Sequence, residues 1–303
     1  MPALLYDTNA LVASVKRRGA LPSGTGLSAS DILQRATEEL RGFIVAFLKS
    51  LREEYIIAPL TIAASSNTVA IPVRACGAAL RTVQFQNNTT QGPCNLPRVE
   101  PERAYGYVPA GTVPQGFYFQ GNNLIFVGCQ NPVGTIFLSY QQRPGQLVFP
   151  SATGVISSIT PGGSTTAIVC SSVPTTFTSA ALYDFVSATP NFVASALDVV
   201  ASVSGTTLTV ANARVPSTLA VGDYVCLAGQ TPVPQIPFEL HDLLAQVTAQ
   251  EIAQSTGSSR LDAITSKTNQ LKSDMMMMLS PRTDGQARPV ISRGAGWRRR
   301  GGW

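Results

Sequence analysis

The sequence predicts an α+β protein: a helical bundle formed from both ends of the chain, with β-hairpin elements and an inserted small β-sandwich or barrel domain. Three observations carry that expectation. Apolar residues recur at three-and-four spacing in 28–58 and again in 238–279. Between about 116 and 141 the spacing changes to the alternation of strands. Residues 155–235 are rich in Ser, Thr, Val, Ala, Gly and Pro, and their only charged residues are Asp184, Asp198, Arg214 and Asp223. The domain plan that follows is an N-terminal arm at 1–27, a bundle with hairpins at 28–150 and 232–281, an inserted β domain at 151–231 and a basic tail at 282–303.

The leading stretch places Ile32, Leu33, Ala36, Leu40, Phe43, Ile44, Phe47, Leu48, Leu51 and Tyr55 on one stripe of a long helix, with Arg35, Glu38, Glu39, Arg41, Lys49 and Arg52 opposite. Ser28 is placed to cap it and Asp31 to complete a capping box. Pro59 is expected to end it, because the residue before a proline avoids the α region. A helix of roughly 30 residues is about 45 Å long. Leu40, Phe43, Ile44, Phe47, Leu51 and Tyr55 are therefore candidates for packing within the bundle and between subunits. Gly42, mid-helix, is expected to mark a close helix contact or a bend.

Before that helix, Asn9–Arg18 is a short amphipathic piece of an arm expected to order against a neighbour. After it, 60–70 reads as an extended pass, and Pro72 at a first helical position suggests a second helix over 73–85. Gly121-Asn122-Asn123 reads as the turn of a hairpin, and 135–141 as a third strand. Within the β block, 167–170, 199–203, 207–210 and 223–228 alternate as short strands, and Pro161-Gly162-Gly163 reads as a turn. Helices return at 238–255, with Phe238, Leu243, Leu244, Val247 and Ile252 inward, and at 260–279. In the latter Leu261, Ile264, Thr268, Leu271, Met275 and Met278 follow heptad-like spacing. Met275–Met278 read as a plastic helix end packed against varying neighbours.

Composition excludes several classes. The chain has 303 residues, 44% hydrophobic but only 13% charged, about half the usual share of charge; a surface so poor in charge suggests burial between subunits. No apolar run approaches the roughly 18 residues of a membrane span, so no membrane partner and a cytosolic site of synthesis are expected. The cysteines at 76, 94, 129, 170 and 226 are widely separated, which suits reduced thiols better than a zinc site or disulfide framework. His241 is the only histidine and reads as a capping or packing residue. No G-x-S-x-G, Walker loop, dinucleotide fingerprint or H-E-x-x-H occurs, and Glu38-Glu39 and Glu53-Glu54 lie on the polar face of the long helix. An enzyme is not expected, nor any catalytic residue, metal or cofactor.

Charge is informative by position. Of 22 basic and 17 acidic residues, six arginines and one acid lie from Arg282 onward, leaving sixteen of each in the remainder. Both tryptophans share that end, in Arg293-Gly-Ala-Gly-Trp297-Arg298-Arg299-Arg300-Gly-Gly-Trp303. Trp and Arg are the residues most enriched at interface hot spots, so Arg293, Trp297, Arg298, Arg299, Arg300 and Trp303 are candidate docking residues. Contact with nucleic acid through arginine and stacking, and a merely solvated tail, are the competing readings.

In order along the chain, ILQRATEELRGFIVAFLKSLREEY, IPVRACGAALRTVQF, PQGFYFQGNNLIFV, FLSYQQRPGQLV, PQIPFELHDLLAQVTAQEIAQ and LSPRTDGQARPVI resemble the head-to-tail adaptor proteins of tailed bacteriophages, a group related to the tail tubular proteins of short-tailed phages. The resemblance covers roughly 28–150 and 232–292, not the β block or the GWRRRGGW ending. It implies a structural virion protein at the head–tail junction, assembled in host cytoplasm as a dodecameric ring beneath the portal protein. It further implies that the bundles surround a channel passing genomic DNA without sequence-specific binding, that the C-terminal segment docks on the portal, and that the β-rich part faces a tail or nozzle protein. A nucleic-acid-binding virion protein using the Arg/Trp tail, or a receptor-binding β-rich tail protein, are the alternatives.

Overall fold

The computed structural model describes residues 6–20, 27–87, 92–188 and 194–280. It is a mixed α+β fold containing a closed six-stranded β-barrel. In chain order the elements begin with α1 (Thr8–Gly19), α2 (Ala29–Glu39), a π-helical turn (Leu40–Ile44), α3 (Val45–Leu51) and a 3₁₀ turn (Glu53–Ile56). Strands β1 (Ile57–Ala64), β2 (Thr68–Ala70), β3 (Ala75–Gln86) and β4 (Cys94–Asn95) follow, then the single turn α4 (Pro101–Ala104). Next come β5 (Gly116–Gln120), β6 (Asn123–Val127), β7 (Gly134–Gln142) and β8 (Gln146–Leu147). The barrel strands are β9 (Gly154–Pro161), β10 (Thr165–Cys170), β11 (Leu182–Val186), β12 (Ala194–Ser204), β13 (Thr207–Ala211) and β14 (Tyr224–Leu227). The chain returns through β15 (Gln230–Thr231) to α5 (Glu239–Ser255) and α6 (Leu261–Leu279).

The long helix starts as its sequence dictates. The Ser28 hydroxyl accepts from the Asp31 N–H at 3.1 Å, and the Asp31 carboxylate accepts from the Ser28 N–H at 2.9 Å, a reciprocal capping box. The bond from the Ser28 side chain holds the Asp31 carboxyl below its ordinary range. The helix is shorter than its spacing suggests. It ends at Leu51, where Arg52 leaves helical geometry (φ −145°, ψ 69°), and Pro59 lies inside β1 rather than at the helix end. Proline is tolerated there because β1 is an edge strand and needs no N–H at that position. Gly42 makes no close contact, since a Cβ there would meet nothing within 4 Å; it sits in the π turn, the insertion that re-aims the helix.

The expected helix over 73–85 is a correction: those residues form β3. Val83 and Phe85 are buried between half-buried neighbours, a two-residue period. The strand pairs antiparallel with β7, Val83 opposite Leu138 and Phe85 opposite Ile136. Pro72 belongs to the preceding turn, where its carbonyl accepts from the Ala75 N–H at 2.8 Å. Non-local pairing overrides the helical reading of the Ala-rich segment. The four-stranded sheet has the order β1-β7-β3-β4, and the hairpin β5–β6, joined by β2, forms a separate three-stranded sheet. The hairpin turns at Gly121 (φ +58°), as the Gly-Asn-Asn signal predicts.

Helix α5 is buried on nearly every side, with Leu240, Leu243, Leu244, Ala249, Ile252 and Ala253 all inaccessible. Helices α1, α2 and α6 pack on it. The N-terminal helix is thus ordered within its own chain: Leu11, Val12 and Val15 are buried in the cluster that holds α2 and α5. Of the residues expected inward on α5, Phe238 instead stays 40% exposed. On α6 the buried row is Ile264, Thr268, Met275 and Leu279; Met278 points outward and Leu279 takes its place.

The barrel closes in the order β10-β13-β12-β11-β14-β9 around Ile156, Ile168, Tyr183, Phe185, Val199, Leu208 and Val225. Gly162 closes the β9–β10 hairpin, its N–H bonded to the Thr165 carbonyl at 2.8 Å. Gly154 pairs with Val225, so the barrel leaves the chain near where it enters. The outgoing β15 then pairs parallel with the incoming β8.

Candidate assembly surfaces

The six long-helix residues fall into two sets. Leu40 and Ile44 are fully buried within their own chain. Phe43, Phe47, Leu51 and Tyr55 are only partly buried against the same cluster and keep a face toward solvent. Phe43 and Phe47, one helical turn apart, stack with ring centroids 6.1 Å apart at 24°. The Lys272 ammonium lies 4.4 Å from the Phe43 centroid and the Arg52 guanidinium 5.1 Å from that of Tyr55. Arg52 also pairs with Glu54, and the Gln141 amide donates to Glu53 at 2.8 Å. The result is a row of aromatic rings flanked by cations, continued at the end of α6 by Met276, Met277 and Met278, which are exposed.

Acidic groups border this row. Arg35 pairs with Glu251 at 3.2 Å. Burial pushes the Glu39 carboxyl up, and the neighbouring Glu251 and Glu38 add to the effect. The Arg35–Glu251 pair ties α2 to α5.

Two further surfaces were not legible in the sequence. The segment after α4 holds Tyr105 and Val108 almost wholly exposed, and with Tyr107, Tyr118 and Phe119 it borders a groove of about 740 Å³. Between β1 and the barrel lies a cleft of about 620 Å³, lined by Tyr55, Leu60, Tyr140, Leu197, Asp198 and Arg214 among others. Gln235, also on this cleft, has a buried amide nitrogen without a hydrogen-bond partner, while its oxygen accepts from the Gly145 N–H at 3.3 Å. On the barrel, the cross-strand neighbours Leu182 and Val200 are exposed together.

His241 is buried beside Phe238 and Tyr6, with Nε2 3.3 Å from the Ile236 carbonyl oxygen. Its desolvation holds the imidazole pKa below the ordinary value. The five cysteines are unpaired thiols: Cys94 is exposed, Cys76 half-buried, and Cys129, Cys170 and Cys226 buried. Burial pushes the Cys170 thiol up to about 11 and raises Cys226 as well. Among the described residues no group of three or more His, Cys, Asp or Glu could hold a metal ion. No described helix is long and apolar enough to cross a membrane. The candidate docking residues Arg293, Trp297, Arg298, Arg299, Arg300 and Trp303 lie outside the described residues.

The sequence matches no protein-family model and no curated protein sequence.

Proposed function

We propose that the chain is the subunit of a head-to-tail adaptor ring of a tailed bacteriophage, seated beneath the portal, joining capsid to tail and lining the channel through which DNA leaves. The observation that carries this reading is where the resembling segments fall. The first five map, in order, onto α2–α3, β3, the β5–β6 hairpin, β7–β8 and α5, the sixth lying, after Ser280, beyond the described residues, and α2, β8 and α5 contribute to one apolar cluster. The barrel, which the resemblance does not cover, is a separate insertion between β8 and β15.

In this reading the helices from both ends of the chain act as one bundle. Copies pack side by side through the half-buried row of Phe43, Phe47, Leu51 and Tyr55. Residues 282–303 dock on the portal through Trp297, Trp303 and the arginines, and the barrel faces a tail or nozzle protein. The protein then works by assembly, without catalysis, cofactor or metal. Each docking contact is weak, and a ring multiplies it into a tight joint.

The test is immunogold labelling and cryo-electron microscopy of virions from the phage that encodes the chain. Label at the vertex between head and tail, with a closed ring there, is expected. Label at the far end of the tail favours receptor binding and overturns the adaptor reading, as does absence from the particle. Truncation after Pro281 separates portal docking from nucleic-acid binding. The truncated chain is expected to fail to join DNA-filled, portal-bearing heads, whereas the nucleic-acid reading requires the full chain to bind free DNA without portal, with an affinity that falls steeply with salt.

A further inference from the structure

Asp184 is an inaccessible carboxylate in a barrel strand, yet it does not face the barrel core. Its neighbours Tyr183 and Phe185 fill that core, so alternation along β11 turns Asp184 outward, toward the rest of the chain. There it gathers three separate pieces of backbone. One oxygen accepts from the Arg74 guanidinium and from the Gly229 N–H (2.9 Å); the other accepts from the Asp198 N–H at 3.0 Å. Arg74 stands on the turn before β3, Gly229 in the turn between β14 and β15, and Asp198 within β12. Arg74 is itself buried, its carbonyl accepts from the Arg143 N–H at 2.7 Å, and it lies 3.5 Å from the Asp198 carboxylate. Asp198 adopts a left-handed backbone (φ +53°), a conformation that aspartate tolerates better than most residues.

Beyond that tie, the barrel meets the rest of the chain through a small apolar cluster of Val186, Tyr224, Cys226 and Val233. Apart from the entering turn at Pro150–Ala152 and the departing β15, no described helix or strand outside the barrel packs extensively on a barrel strand. The cleft of about 620 Å³ separates β1 from the Leu197–Asp198 bend. A body and a barrel joined by two neighbouring linkers, with an open cleft on one side, have the layout of a hinge.

We propose that the buried Arg74–Asp184 pair, with Asp198, is a lock that fixes the barrel's setting on the body, and that breaking it lets the barrel swing about its linkers and open the cleft. The pair belongs to none of the four apolar clusters of the described residues, each of which packs without it. What is lost is a three-way tie that no nearby group can replace, since removing one partner leaves a buried charge uncompensated. The lock stands independently of the adaptor reading.

Hydrogen–deuterium exchange of the full chain tests it. In Arg74→Met, amides in 148–153, 228–232 and the cleft walls at 55–60 and 196–198 are expected to exchange at least tenfold faster. Amides of β10, β13 and α5 are expected to keep their wild-type protection. Arg74→Lys, which keeps the charge but loses the forked geometry, is expected to show the same regional pattern at about threefold, and it decides the matter if the methionine variant does not fold. Faster exchange spread evenly through the barrel core makes the pair an ordinary fold stabiliser and overturns the lock. Unchanged exchange at the linkers and cleft overturns it equally.

Discussion

Leu40 and Phe47 lie on the same helical stripe, and the structure gives them opposite surroundings. Leu40 is fully enclosed within its own chain, whereas Phe47 is half-buried beside Phe43. Leu40→Ala removes buried carbon from a site packed on all sides, which costs about 2–5 kcal/mol. For a chain of this size that corresponds to a fall in Tm of roughly 4–20 °C. Phe47→Ser removes a side chain that is partly buried against the same cluster. At roughly 25 cal/mol per Å² the buried part of a phenylalanine side chain is worth about 2–4 kcal/mol to the isolated chain, less than or comparable to the Leu40 site. In a ring, however, the same face recurs at every subunit boundary, so a small loss per contact is multiplied. Thermal melts followed by circular dichroism are expected to show a lowered Tm for both variants, each still melting cooperatively. Sedimentation of each variant with portal-bearing heads is expected to show loss of assembly for Phe47→Ser even though it folds. If Phe47→Ser assembles as well as wild type, the aromatic row is not a subunit contact. If Leu40→Ala melts unchanged, the packing of α2 on α5 is wrong.

Three further outcomes follow from burial and topology. A thiol reagent at mildly alkaline pH is expected to label Cys94 first and Cys76 more slowly; Cys170 and Cys226, enclosed and raised in pKa, are expected to react only after denaturation, and early labelling of Cys170 would contradict a closed barrel core. His241 has a folded-state pKa below its ordinary value of 6.5, so the unfolded chain binds the proton more readily; its contribution to stability is present above 6.5 and is lost as pH falls below it. The urea midpoint is therefore expected to drop between about pH 7.5 and 5.5, and less so in His241→Gln, because no other histidine occurs in the chain; equal slopes for both proteins would remove the buried imidazole from the account. Replacing residues 154–227 with a short Gly/Ser linker is expected to leave a soluble protein with its helical circular dichroism, since Gly154 and Val225 are paired neighbours; loss of the helical signal would mean that the barrel is needed to fold the body.

Local signals were read correctly where a residue acts on its near neighbours. The Ser28–Asp31 capping box, the Gly121 turn, the Gly162 hairpin and the strands expected at 167–170 and 207–210, which fall in β10 and β13, each depend on a few consecutive residues. The failures have a different cause. The segment IPVRACGAALRTVQF carries helix formers beside Pro72, and only its partner β7, more than fifty residues away, decides that Val83 and Phe85 face a sheet core. The helical period also ran on past Leu51, because Tyr55 happens to keep the spacing; what ends the helix is the backbone of Arg52, for which no proline or glycine signals. The π turn at Leu40–Ile44 shifts the phase of the stripe, and this separates the enclosed Leu40 and Ile44 from the half-open Phe43 and Phe47.

The scarcity of charge in 155–235 was visible from composition, but its meaning depends on where the charges go. Asp223 is buried and accepts from the Ala188 and Ala220 N–H groups, each at 2.9 Å, so it shapes loops within the barrel. Asp184 and Asp198 gather around Arg74, whose partner Asp184 is 110 residues away in sequence. Of the four charged residues in the block, only Arg214 is left without a structural task of this kind, and it sits on the cleft. Away from the cleft, where the exposed Asp198 and Arg214 lie, the outer face of the barrel therefore carries no charge among the described residues. Its contacts must rest on shape and apolar area, as at the exposed Leu182–Val200 pair. Such contacts lack the long-range steering that charge provides, so a surface of this kind depends on being held in place. An aspartate that ties the barrel to the body supplies that constraint, which is why its position in the fold matters more than its count in the sequence.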